Sequence, residues 1–175
     1  MPVIAKHSMF DGMFAVALKP EGAFRDELKT AGFDLAKPLP EYPYAVWRAC
    51  LVIAARHVFP HEPQDRAFWL LGERFIEGYL DTMIGKLIAA ALPFLSPKTL
   101  VQRSPRFCST GVSGATFDLQ WLGEQEALLR MPELPYPNQH FTAGVVAKCM
   151  TLIKSSMDLD PQPLGAGGSQ LHMKW

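Results

Sequence analysis

The sequence predicts an α+β domain: an N-terminal helical layer packed on a C-terminal twisted antiparallel sheet, with a helix inserted between the last strands. Changes of hydrophobic period carry this reading. Helical spacing dominates as far as Pro93, and alternation then takes over in "ATFDLQWLG". Helical spacing returns in "NQHFTAGVVAKCMTLI", and "SQLHMKW" alternates again at the end. Helices first, then strands, helix and strand, is the order that lays helices on one antiparallel sheet. With 175 residues and 49% hydrophobic side chains the chain can bury one sizeable core, so residues 1–175 read as a single domain.

Element by element, "EGAFRDELKTAG" is a short helix with Phe24 and Leu28 inward and Gly32 as its stop. "FDLAKPLPEYP" is a proline-punctuated connector. Pro43 then opens a second helix that sets Tyr44, Trp47, Leu51, Ala55 and Val58 at helical spacing. "PHEP" breaks it, and one long helix is expected from Pro63 to Pro93. On its wheel Arg66, Glu73, Glu77 and Asp81 share one face, with Phe68, Phe75, Tyr79 and Met83 roughly opposite. Gly72, Gly78 and Gly85 interrupt this helix, although an interior glycine costs about 1 kcal/mol relative to alanine. The stripe of Gly78, Thr82, Gly85 and Ala89 therefore predicts a place where another backbone or a flat ligand comes close.

"SPKTLVQRSP" supplies an N-cap serine, a first-turn proline and a short helix. "RFCST" reads as an early strand joined on through "GVSG". In "ATFDLQWLG" Phe117, Leu119 and Trp121 alternate with polar residues, and "GEQEALLRM" follows at hairpin distance. Phe141, Val145 and Met150 or Cys149 face inward on the late helix. "DLDPQPLGAGGS" reads as a turn-rich link, its "GAGG" as a turn, before the closing strand with Leu171, Met173 and Trp175.

Composition excludes several functions. Lysine plus arginine and aspartate plus glutamate each number 17, with no block of like charge, which argues against a nucleic-acid binder. "MPVIAKHSMF" lacks the features of a secretory signal, and "ACLVIAA" and "LIAAALPFL" are too short to span a bilayer, so a soluble cytoplasmic protein without membrane insertion is expected. Cys50, Cys108 and Cys149 are odd in number and scattered, which reads as reduced thiols.

No complete catalytic constellation appears. Glu73, Glu77 and Asp81 recur as a solvated helix face without an E-x-x-H partner, so no metal site is expected there. Prolines disrupt the geometry around His57 and His61; His140 and His172 read as surface or capping groups; Ser109, Thr110 and Ser113 lack a nucleophile elbow. What remains is aromatic richness: Tyr42, Tyr44, Trp47, Phe68, Trp69, Phe75 and Tyr79 fall in two adjacent helical stretches. A pocket beside the small-residue stripe is expected from them, with Trp47, Phe75, Gly78, Tyr79, Thr82 and Gly85 as ligand-binding residues.

The run from "GFDL" through "YP" and "FP" to Gly72, Phe75, Gly78, Thr82 and Gly85, continued by "RSPRFCSTG" and ending in Trp175, resembles a large paralogous family of myxobacterial proteins of uncharacterised function. That family is distantly similar to the ligand-binding fold of 4-vinyl reductase-type domains, haem-nitric-oxide-binding domains and TRAPP subunits. The resemblance implies a module that binds an apolar small molecule or a partner protein and dimerises through its helices. The haem branch uses a histidine ligand with a Y-x-S-x-R motif; no Y-x-S-x-R occurs here, so haem is not expected and the cofactor is left unassigned.

The leading expectation is thus a non-enzymatic binding and regulatory module for a small apolar or aromatic ligand. A TRAPP-like homodimer without a ligand is the second. The third is an enzyme acting on an apolar metabolite, with Glu77, His57, Tyr79 or Cys108 as candidate reactive groups.

Overall fold

The computed structural model describes residues 1–165 and 167–175, with the side chains of residues 83 and 84 outside the description. The chain enters through β1 (Ile4–Lys6) into α1 (His7–Phe10), which widens into a π-helical stretch over Asp11–Leu18. α2 (Gly22–Thr30) follows, and Gly32 at φ +106° turns the chain away. β2 (Glu41–Pro43) leads into α3 (Tyr44–Val58), and Pro63 precedes α4 (Gln64–Asp81). Next come α5 (Met83–Ala91), a 3-10 turn at Leu92–Phe94 and α6 (Pro97–Gly111). β3 (Val112–Ser113), β4 (Asp118–Gly123) and β5 (Glu126–Met131) precede α7 (Asn138–Leu152), and β6 (Asp158–Leu164) and β7 (Gly168–Lys174) close the chain.

Two antiparallel sheets result. β2, β1 and β3 form a small one, and β4, β5, β7 and β6 lie side by side in a larger one. Its inner face is apolar, with Ala127, Leu129, Met131, Leu171 and Met173 all buried. Trp47, fully buried, centres the helical half: Phe10 lies 5.1 Å away edge-on and Phe141 5.6 Å, ring to ring. Its indole Nε1 finds no hydrogen-bond partner among the described residues, ringed as it is by aromatic carbon.

α4 and α7 touch backbone to backbone. A Cβ on Gly144 would collide with the Trp69 carbonyl, and one on Gly72 with the Phe141 carbonyl. Asp65 contacts Tyr136 and His140 beyond one end of this contact, and Glu77 pairs with Lys148 beyond the other, so the helices run in the same direction. Gly78 similarly meets the Gly12 carbonyl and Ala17 of the π-helical stretch. The glycines of α4 are where neighbouring helices lie against it, and that close packing offsets their poor helix propensity.

The structure corrects three expectations and adds one element. First, the long helix breaks at Thr82, whose ψ of 162° is extended; its Oγ1 donates to the Tyr79 carbonyl and accepts from Gly85 N–H, capping α5. The chain folds back tightly there, so Gly85 packs on Tyr79 and Leu80. Second, "RFCST" is the end of α6. Pro105 withholds an N–H from the Val101 carbonyl, and the Ser104 hydroxyl donates to that carbonyl instead, at 2.8 Å, which lets the helix continue. Third, "DLDPQPL" is β6, an edge strand, where Pro161 and Pro163 cost no ladder bond on the open side. Residue 166 of "GAGG" lies outside the description. The added element lies in the first twenty residues, which supply core through Phe10 at the end of α1 and through Met13 and Phe14 on a π-helix that has no 3.6-residue signature. Met83, expected on the apolar face of the long helix, has its side chain outside the description.

Gly144→Ala is expected to cost about 3 kcal/mol of unfolding free energy, because the clash is with backbone that cannot rotate away, and Gly123→Ala less than about 0.5 kcal/mol. Urea midpoints of the two variants measure the difference.

Candidate functional site

α4, α6, α7 and the inner face of the larger sheet leave a cavity of about 140 Å³ between them. α4 lines it with Phe75, Ile76, Tyr79 and Leu80, and α7 with Phe141, Val145, Val146 and Cys149. Leu100, Val101, Phe107 and Cys108 close it from α6, Ile88 and Leu92 from α5 and the turn after it, and Leu129 and Met173 from the sheet. No charged side chain and no histidine lines it among the described residues. The volume is close to that of an engineered apolar cavity of about 150 Å³ that stays dry and binds benzene or xenon.

Several of the polar groups at the wall are already engaged. Asn138 Oδ1 accepts from the Tyr44 hydroxyl at 2.9 Å, and its Nδ2 donates to Ser169 Oγ at 3.1 Å. Burial pushes the Tyr44 phenol well above its ordinary pKa, so it remains a donor. Ser104 donates to the Val101 carbonyl and Thr110 to the Phe107 carbonyl. Such a wall accommodates a neutral apolar molecule and penalises any polar group that arrives without its own partner.

Of the residues expected to bind a ligand, the fold brings Phe75 and Tyr79 to this cavity, their rings stacked 5.3 Å apart. Trp47, Gly78, Thr82 and Gly85 do not line it. Trp47 is committed to the aromatic core, Thr82 to the cap, and the two glycines to intramolecular contacts. Gly78 and Gly85 of the small-residue stripe are consequently met from within the chain. The walls supplied by α6, α7 and the sheet were not legible as a site, because no local spacing marks residues that converge only in three dimensions.

Of the candidate reactive groups, Tyr79 and Cys108 share the cavity, and the others are elsewhere. Glu77 bridges Lys148 and Arg74 on the surface, and the Lys148 ammonium holds its carboxyl below the usual carboxylate range. His57 stacks on Phe24 at 4.8 Å and meets Glu27 at 3.0 Å. Burial holds His140 below its ordinary pKa, while Asp65 at 3.4 Å pulls the other way. No group of three or more His, Cys, Asp or Glu side chains forms a metal site among the described residues. Among those residues no helix is long and apolar enough to cross a membrane.

Solved structures share this fold. An H-NOX protein from S. oneidensis in its Fe(II)NO state superposes with a TM-score of 0.67 at 12% identity, covering 97% of this chain and 98% of that one. An unliganded Fe(II) H-NOX mutant from K. algicida gives 0.63 at 14%, covering 97% and 95%. A protein described for the modulation of haem redox potential by porphyrin distortion gives 0.68 at 8%, covering 97% and 99%. These neighbours overturn the expectation against haem, which rested on a missing motif, and make haem a candidate cofactor of this fold. In the cavity, Cys108, Cys149 and Tyr79 are side chains of the kinds that ligate haem iron. The cavity is that of a single ring, and no cationic side chain lines it among the described residues to meet a propionate, so it does not accommodate a porphyrin as it stands.

Burial pushes the Cys50, Cys108 and Cys149 thiols up to about 12. At pH 8, iodoacetamide is expected to alkylate the folded protein about a thousandfold more slowly than the urea-unfolded chain, as followed by intact mass. The unfolded chain releases these protons first, so stability is complete below about pH 9 and declines as pH rises toward 12. Denaturation midpoints across that range check it.

No protein with a curated description matches the sequence. The family model described as protein of unknown function (DUF2378) matches residues 4–175, and the chain belongs to that family.

Proposed function

We propose that the protein is a sensor-like binding module whose ligand is a neutral, apolar molecule about the size of one aromatic ring, held between α4, α6, α7 and the sheet. The observation that carries this reading is the apolar cavity, lined by no charged side chain among the described residues and with Asn138 and Ser104 already hydrogen-bonded within the protein. Binding there needs no reactive group, and the role is regulatory rather than catalytic. Occupancy acts on the wall formed by α5 and α6, which is joined to α4 through the Thr82 break and carries Ile88, Leu92 and Phe107 against the ligand. Haem is the larger occupant suggested by the structural neighbours; were this cavity to widen for it, Cys108 or Cys149 would be the side chains to hold its iron.

Thermal unfolding with benzene or indole tests the reading. A probe at about a hundred times its Kd stabilises by about 2.7 kcal/mol, which is a rise in Tm of about 5–10 °C for a chain of this size. Val146→Phe, which fills the cavity, is expected to abolish the rise, and Val146→Ala to keep it. Haem is titrated in parallel, and a Soret band that shifts in Cys108→Ser or Cys149→Ser identifies the porphyrin as occupant. No response to any of the three probes, or an undiminished response in Val146→Phe, overturns the proposal.

A further inference from the structure

The wall of the cavity has an unusual outer side. From Thr82 to Phe117 the sequence contains Lys86, Lys98, Arg103 and Arg106 and no acidic residue, in a chain whose charges balance only overall. All four cations are exposed, and none has an ion-pair partner among the described residues. Lys98, Arg103 and Arg106 fall on the solvent side of α6, opposite Leu100, Val101 and Ser104, which are buried toward the cavity. Lys98 lies 5.8 Å over the Trp121 ring, and Glu124 lines the same shallow groove without pairing to it.

Between these cations the chain exposes apolar bulk. Leu87 on α5 is 77% exposed and Phe94, in the turn before α6, 87%, both well above Trp121 at 40%. Ala90, Ala91 and Pro93 are exposed beside them. Single exposed apolar residues are ordinary, but here Leu87, Ala90, Ala91, Pro93 and Phe94 are exposed within one short stretch flanked in sequence by Lys86 and Lys98. Cations around protruding leucine and phenylalanine are the chemistry of an interfacial segment. The apolar side chains enter the acyl boundary and the lysines and arginines meet anionic headgroups. An acidic protein partner would satisfy the cations but offers no reason for Phe94 to stand in water.

We propose that the outer face of α5 and α6 docks on the surface of an anionic lipid bilayer, lying on it without spanning it. The inner face of the same two helices lines the cavity, so docking sets the entrance for an apolar ligand where such molecules concentrate. Only this last link rests on the binding function proposed above; the docking surface stands on its own residues.

Flotation of the full-length protein with phosphatidylcholine vesicles, with and without phosphatidylserine, tests it. Binding is expected only to vesicles containing phosphatidylserine and is expected to weaken as salt rises. Neutralising three cations in K98Q/R103Q/R106Q should weaken partitioning about a hundredfold. Leu87→Ser with Phe94→Ser should weaken it at least about tenfold. All five positions are exposed, so circular dichroism should report an unchanged fold. Val146→Phe should dock as the parent does, which separates a failed cavity from a failed surface. Absence of vesicle binding, equal binding by the variants, or binding to polyglutamate or heparin in place of vesicles overturns the proposal.

Discussion

The backbone contact between α4 and α7 is the constraint on which the rest of the structure depends. With hydrogen in place of Cβ at Gly72 and Gly144, the helices approach until the Trp69 and Phe141 carbonyls lie against the partner helix. That proximity brings Phe141 to within 5.6 Å of Trp47, edge-on, and so joins the aromatic core of the helical half to the helix that lies on the sheet. Asp65 with Tyr136 and His140 on one side, and Glu77 with Lys148 on the other, fix the register of the pair. These polar contacts are exposed and contribute little to stability, so register is their principal effect.

Where the close contact ends, space opens. Beyond Gly72 the facing residues are the large side chains of Phe75, Tyr79, Phe141 and Val145, and the chain turns away at Thr82 before α5 and α6 can fill the gap. The cavity is the volume left between a helix pair drawn together by glycine and a wall that begins at a helix break. Its apolar character follows from the same economy of groups: Ser104, Thr110 and Asn138 at its edge are spent on protein carbonyls and on neighbouring side chains.

Sequence reasoning reached elements whose signals are local. α2, α3 and α7, the Ser96 cap of α6 and the β4–β5 hairpin follow from period, capping and turn chemistry. It failed where a tertiary partner reverses a local rule. Two prolines argued against β6, but an edge strand has a side with no ladder to lose. Pro105 argued for the end of a helix, but Ser104 supplies the donor that proline lacks. Phe75 and Tyr79 were legible as pocket residues because they share one helix face. Gly78 and Gly85 marked a close approach, yet nothing in a sequence states whether the approaching group is a ligand or the chain's own backbone.

The H-NOX-like fold thus carries a cavity shaped by residues of this chain, and its occupancy by an apolar molecule is the central claim. A crystal of the protein pressurised with xenon measures it most directly, because xenon reports apolar volume without demanding a particular ligand. Xenon density is expected between Phe75, Phe107 and Phe141, and its loss is expected in Val146→Phe. Ordered water in that space, or collapse of the α6 wall onto α7 with no xenon bound, would contradict it.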